Sequence, residues 1–247
     1  MQKIKKSYRA DYQGEDIITN AILVNGQWQY EKEHIPTNIF NNQISNRALV
    51  IGNGLHRKNF NLDLVANHKG GLLGAGALQT YGCNALYRDF EPHFLVATGD
   101  PAFLTELANS GYCESHIVYA NAQDIVSYPD KFYLTPQDPS WNSGSIATYI
   151  ACFDGHKQVY LLGFDGNDDA GYQYNVYAGT TGYDIAKSPQ SSDFWTESMV
   201  EVFNTYSDVD FVYVSEWGTQ WLPDAWKYQL NLRHISYRDF VIEADIG

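Results

Sequence analysis

The sequence predicts an α/β fold: a mostly parallel sheet with helices on both faces, preceded by a β-hairpin and interrupted by a long lid loop. Three observations carry this. From residue 48 onward, short apolar runs alternate with stretches of helical character, the pattern of strands joined by covering helices. An Asn25-Gly26 pair stands between two strand-like runs, and such a pair supplies the positive φ values that a tight hairpin turn needs. Residues 166–191 are rich in Gly, Tyr, Asn and Asp and show no period; a loop of that length inside a compact domain is commonly a functional lid.

The hairpin strands are expected at 17–24 and 27–33. Pro36 and the Asn-rich stretch 38–46 read as a linker, so residues 1–46 form an appendage and 47–247 the main domain. Within that domain, strands are expected at 48–51, 79–83, 93–98, 117–120, 132–134 and 159–162, with a last one at 209–214. Helices are expected at 101–110, 145–154 and 192–206. Asp100 suits the N-cap of the first, with Pro101 in its first turn. Gly155 closes the second.

Composition excludes several classes. The chain has 247 residues, 44% of them hydrophobic and 18% charged, too apolar for a disordered chain. No apolar run approaches a membrane span, and no apolar segment follows the basic start, so neither a transmembrane segment nor a signal peptide is expected. Three widely spaced cysteines, Cys83, Cys113 and Cys152, fit a reducing compartment and exclude a Cys-rich zinc module. A cytoplasmic location follows. The net charge of −13 argues against nucleic acid as a partner, because phosphate backbones are held by Lys and Arg. Residues 1–70 nevertheless carry nine Lys and Arg against six Asp and Glu. Arg47, Arg57 and Lys58 bracket the first loop of the main domain.

In an open parallel sheet, ligands bind beyond the carboxyl ends of the strands. After the first of these strands comes Gly52-Asn53-Gly54, then His56-Arg57-Lys58. Two glycines permit close backbone approach, their N–H groups suit an anion, and Arg57 suits a phosphate; a plain βα turn is the alternative. Asn84 follows the next strand and is either a reader of a base or sugar edge or a helix cap. Asp100 is a ligand contact or a cap. Ser143 and Gly144 precede a helix whose N-terminus favours an anion. Gly163 and Asp165 follow the cleanest strand, where an acid can hold a ribose hydroxyl or a metal, and Asp168 and Asp169 lie just beyond. The spacing lacks the Gly and terminal Glu of a calcium loop. No H-x-x-x-H pair, G-x-S-x-G elbow or Walker A sequence is present, which argues against zincin, hydrolase-triad and P-loop chemistry.

Taken in order, Val50-Ile-Gly-Asn-Gly54, Tyr81-Gly-Cys-Asn84, Asn142-Ser-Gly144 and Val159-Tyr-Leu-Leu-Gly-Phe-Asp165 resemble the bacterial sialyltransferases that modify lipooligosaccharide. Those enzymes share a G-N-G loop, a C-N pair, a T-S-G turn and an S-G-I-D strand end. The resemblance spans about residues 47–165. It implies a Rossmann-like sheet, a tyrosine-bearing lid, a CMP-sugar donor, a glycan or small-molecule acceptor and no metal cofactor. Carried over, Asn53 and Asn84 contact the nucleotide, Ser143 lies near the donor, and Gly163 and Asp165 line the base or ribose side. Tyr172, Tyr174, Tyr177 and Tyr183 are the lid tyrosines.

Asp100-Pro101 and Gly163 with Asp165 also resemble the 6-hydroxymethylpterin pyrophosphokinase family, which implies magnesium and ATP. Gly82-Cys-Asn-Ala-Leu-Tyr-Arg-Asp-Phe90 is similar to wording in uncharacterised proteins of marine tailed phages; a phage-encoded chain would act in the host cytoplasm. A non-catalytic binding or assembly protein, able to form a homo-oligomer, is the alternative of another class.

Two positions depart from the sialyltransferase pattern. Leu55-His56 stands where that family has Pro-Ser, and residues 166–191 contain no histidine to match the family's lid base. Asp165, Asp168, Asp169 and His234 are the candidates for a base, with Asp165 and His234 foremost. Asn53 and Asn84 are expected at the same end of the sheet as Ser143 and Asp165.

Overall fold

The computed structural model describes residues 8–25, 27–39, 45–66, 78–136, 141–165, 175–183, 192–216 and 222–246. Strands β1 (Tyr12–Val24) and β2 (Gln27–Ile39) form an antiparallel ribbon. Asn25 at its turn has φ 52°, a region that Asn tolerates. The ribbon is longer than the sequence suggests, and it takes Pro36 into β2 where a linker was expected. Pro36 stands opposite Gly14, beside a register shift. At such an irregularity the missing N–H breaks no regular ladder.

The base of the ribbon is not a free appendage. Arg9, Tyr12 and Ile39 are buried. Arg9 donates from Nη1 and Nη2 to Asp154 at 2.9 and 3.0 Å, and the Tyr12 hydroxyl donates to Asp154 Oδ1 at 3.0 Å.

Among the described residues, eight strands form the main sheet: β3 (Arg47–Ile51), β4 (Leu78–Cys83), β5 (Phe94–Val96), β6 (Ile117–Ala120), β7 (Tyr133–Leu134), β8 (Gln158–Leu162), β9 (Asp210–Ser215) and β10 (Leu232–Ser236). Every pair is parallel, in the order β10-β9-β8-β3-β4-β5-β6-β7. The helices are α1 (Asp63–Ala66), α2 (Pro101–Asn109), α3 (Ala122–Ser127), α4 (Ser143–Phe153), α5 (Ser192–Thr205) and α6 (Tyr237–Ala244).

Side chains alternate between two cores, as a strand's period of two dictates. Leu49, Ile51, Tyr160 and Leu162 pack with Phe103 and Leu107 of α2 and Phe240 of α6. Val50, Tyr81, Val159 and Leu161 pack with Ile146 and Ile150 of α4 and Met199 and Phe203 of α5. Burial on both faces is why these central strands read as continuous apolar runs.

The chain walks outward from β3 to β7, then returns to β8 on the other side of β3. The topological switch point therefore lies between the carboxyl ends of β3 and β8, where open α/β sheets hold their ligands. Helix α4 begins at Ser143, two residues earlier than the sequence suggests, because Asn142 is its cap. Strand β10 and helices α1, α3 and α6 were not anticipated. Among the described residues no helix is long and apolar enough to cross a membrane.

Candidate functional site

The switch point is built from two loops that zip together. The N–H of Gly52 donates to the Leu162 carbonyl at 2.8 Å, and that of Gly54 to the Gly163 carbonyl at 2.9 Å. A Cβ on Gly52 would overlap the Gly163 oxygen, and one on Gly54 would lie 2.6 Å from it. Gly163 itself sits at φ 75°, a conformation that glycine adopts without a Cβ penalty. These glycines bring the two loops against each other. The expectation that the Gly52 and Gly54 N–H groups cradle an anion is thereby corrected: both donors are already spent.

The contact also fixes Asp165. Its side chain is only 2% exposed. Oδ2 accepts the His56 N–H at 2.5 Å, and Oδ1 lies 3.4 Å from His56 Nδ1. A Cβ on Gly54 would come within 2.5 Å of the Asp165 carboxyl carbon, so glycine is what admits the acid. Burial pushes the Asp165 pKa up, while the His56 N–H, the imidazole and the Arg57 charge pull it back. The His56 carbonyl accepts from the Tyr237 hydroxyl at 2.9 Å, which holds the loop from α6. Sequence reasoning gave His56 no role of its own. Its place two residues after Gly54 is the only local signal.

On the other side of β3, Asn84, Thr98 and Ser143 form a polar knot beyond the ends of β4 and β5. Asn84, at φ 46°, is not a helix cap. Its Oδ1 accepts from the Thr98 N–H at 3.1 Å and the Ser143 hydroxyl at 2.9 Å. Ser143 also pairs with the Thr98 hydroxyl at 2.6 Å.

Asn53 Nδ2 donates to the Cys83 carbonyl at 3.1 Å and the Tyr183 hydroxyl at 3.2 Å. A carbonyl can only accept, so the amide orientation is set. That leaves Asn53 Oδ1 as a buried acceptor with no partner among the described residues. Burial pushes Tyr183 and Cys83 each up to about 12, so both stay protonated at neutral pH. Asn53, Asn84, Ser143 and Asp165 thus share one end of the sheet, on adjoining strands and the start of α4.

Arg57 does not face an incoming phosphate as a free cation. It is buried. Its guanidinium donates to the Tyr177 hydroxyl at 2.6 Å and to Asp89 Oδ2 at 3.4 Å. Tyr177 donates in turn to Asp89 Oδ1. Residues 175–183, the described part of the expected lid, pack on the strand ends. Gly54 bridges Asn175, and the Val176 N–H donates to the Asn53 carbonyl at 2.9 Å. Arg88 Nη1 donates to the Thr180 hydroxyl at 2.7 Å. Asp168, Asp169, Tyr172 and Tyr174 lie outside the described residues.

The remaining candidates are placed as follows. Asp100 Oδ1 caps α2, accepting from the Ala102 and Phe103 N–H groups at 2.8 and 3.3 Å. Gly144 lies in the first turn of α4, its would-be Cβ 3.4 Å from the Phe164 ring. His234 sits inside strand β10 rather than beyond it, its ring 4.6 Å from that of Tyr213. Burial lowers its pKa, and Nε2 has no partner among the described residues. Its side chain stands with Tyr213 over the α4–α5 core, whereas the turn that carries His56 runs into Phe60 of the opposite core. Among the described residues no group of three or more His, Cys, Asp or Glu side chains is arranged to hold a metal ion.

No family model matches the chain, and no curated protein matches it. Among solved structures, the chain is similar to the sialyltransferase CstII from Campylobacter jejuni, determined in complex with a substrate analogue, cytidine-5'-monophosphate. The two are 11% identical, with 68% of this chain and 79% of that one covered, at a TM-score of 0.43.

Proposed function

We propose that the protein is a nucleotide-sugar-dependent glycosyltransferase of the sialyltransferase type, taking a CMP-sugar at the switch point and a glycan or small-molecule acceptor. The observation that carries this is the buried, fixed acceptor Asn53 Oδ1, set beside Asn84 and Ser143. An unmet buried acceptor costs about 1–3 kcal/mol, which a ligand N–H or O–H offsets. The exocyclic amine of a cytosine or a ribose hydroxyl supplies such a donor. Glycosyl transfer from an activated donor relies on positioning and charge stabilisation, so amide and hydroxyl contacts of this kind suffice. No cofactor is required under this reading.

The test is thermal unfolding with nucleotide. CMP at 100 times its Kd should add about 2.7 kcal/mol, a rise of roughly 5–11 °C for a chain of this size. Asn53→Ala should shrink that rise relative to its own unliganded melting point. A rise that survives EDTA fits the transferase; one that vanishes with EDTA fits a magnesium-dependent pyrophosphokinase. If CMP, UDP, ATP and their sugar conjugates all leave the melting point unmoved at millimolar concentration, a binding or assembly protein replaces this reading.

A further inference from the structure

We infer that His56, held by the buried carboxylate of Asp165 at the carboxyl ends of β3 and β8, is the general base of the transfer, with Asp165 as its positioning residue. The inference rests on the transferase reading. Asp165 is 2% exposed and His56 39%, so one partner is locked and the other reaches solvent. The His56 backbone is pinned on both sides, by Asp165 Oδ2 at its N–H and by the Tyr237 hydroxyl at its carbonyl. Fastening the loop needs only those two bonds. The approach of Nδ1 to Oδ1 at 3.4 Å goes further, because it orients the ring.

A carboxylate beside Nδ1 selects the tautomer protonated there and leaves Nε2 with the lone pair. The groups around Asp165 are Arg57, Tyr213 and Tyr237, with Glu216 near Tyr237. The arrangement supplies a base at the switch point, where the lid segment 166–191 has no histidine.

The step balances without a further reactant. Nε2 takes the proton of the acceptor hydroxyl, or of water. The oxygen's electron pair forms the bond to the anomeric carbon. The bond from that carbon to the phosphate oxygen breaks, and its electron pair leaves on CMP. The imidazolium then returns its proton to solvent.

The test uses CMP-sialic acid with water as acceptor, followed by release of CMP, and a long-range ¹H–¹⁵N spectrum of the histidines. His56→Gln should lower kcat about 10²- to 10⁴-fold while keeping the CMP-induced melting shift. The acid limb of the wild-type kcat profile should vanish in that variant. The neutral His56 ring should carry its proton on Nδ1, and Asp165→Asn should shift it toward the Nε2-protonated tautomer. A wild type whose His56 is mainly protonated on Nε2, or a His56→Gln chain within about twofold of wild-type kcat, overturns the assignment while leaving the transferase reading intact. A wild-type chain that neither binds CMP nor releases it from the donor overturns both.

Discussion

Replacing Arg9 by Ala should cost the fold about 3–5 kcal/mol, the usual price of stranding one member of a buried ion pair. Asp154 is fully buried and follows the last turn of α4, where the helix dipole already disfavours a negative charge. Arg9 meets it with two hydrogen bonds, at 2.9 and 3.0 Å. The guanidinium also lies 4.5 Å from the Tyr12 ring centroid and 4.6 Å from that of Phe94. Without it, Asp154 keeps the Tyr12 and Tyr81 hydroxyls but no countercharge. At about 2–4 °C per kcal/mol for a chain of this size, the melting point at pH 7 should fall by about 6–20 °C. Hydrogen exchange should quicken at the base of the β1–β2 ribbon. Adding Asp154→Asn to Arg9→Ala should recover part of the loss, because it removes the stranded charge. A fall in Arg9→Ala equivalent to less than about 1 kcal/mol would refute the view that this pair ties the ribbon to the main sheet.

Three further outcomes follow from other sites. His156 is fully buried, and burial, reinforced by the Arg9 charge and opposed by the Ser45 backbone, pushes its pKa from 6.5 down to about 4. The unfolded chain therefore binds this proton first, so stability present at neutral pH should be lost as pH falls from 6.5 to 4, by about 3 kcal/mol, and His156→Phe should flatten that part of the denaturation profile. Tyr177→Phe removes the short bond to Arg57 and should cost about 1–3 kcal/mol, with faster hydrogen exchange in residues 175–183 as the direct readout. Gly52→Ala forces a Cβ against the Gly163 carbonyl and should destabilise by about 1–3 kcal/mol in chemical denaturation; a neutral effect would mean that the two loops part easily.

The fold was legible where burial leaves a simple mark. β3 and β8 are buried on both faces, so Leu49 to Ile51 and Val159 to Leu162 stand out as apolar runs. The turn at Asn25 and the Asp100 cap follow from local backbone chemistry, and both can be read from neighbours in the chain. β10 was missed because an edge strand is only half covered, and Leu232-Arg-His-Ile-Ser236 mixes polar with apolar residues. For the candidate site, the placing of its residues at one end of the sheet was more legible than their bonding. Glycines at 52 and 54 announce a close approach but do not say that the neighbour is Gly163. Arg57 beside Lys58 announces charge; that Asp89 and Tyr177 neutralise Arg57 depends on residues 32 and 120 positions away. His56 and Asp165 are 109 residues apart, so no spacing rule links them.

The satisfied backbone at the switch point has a chemical consequence. In a site built on a glycine-rich phosphate cradle, the main chain makes the contacts, and side chains there can change without losing the ligand. Here the Gly52 and Gly54 N–H groups are bonded to the β8 loop, so under the transferase reading recognition would pass to side chains. Those side chains fall into two sets on either side of β3. Asn53, Asn84, Thr98 and Ser143 hold amide and hydroxyl groups toward β4 and β5. Asp165 and His56 hold a carboxylate and an imidazole toward β8. Neutral hydrogen-bonding groups discriminate by shape and donor pattern, whereas the acid–imidazole pair can accept a proton. A ligand served by both must straddle the Gly52–Gly54 loop. That loop sits where it does because Gly54 leaves room for Asp165, so the residues that close the two loops also set the spacing between the two halves of the site.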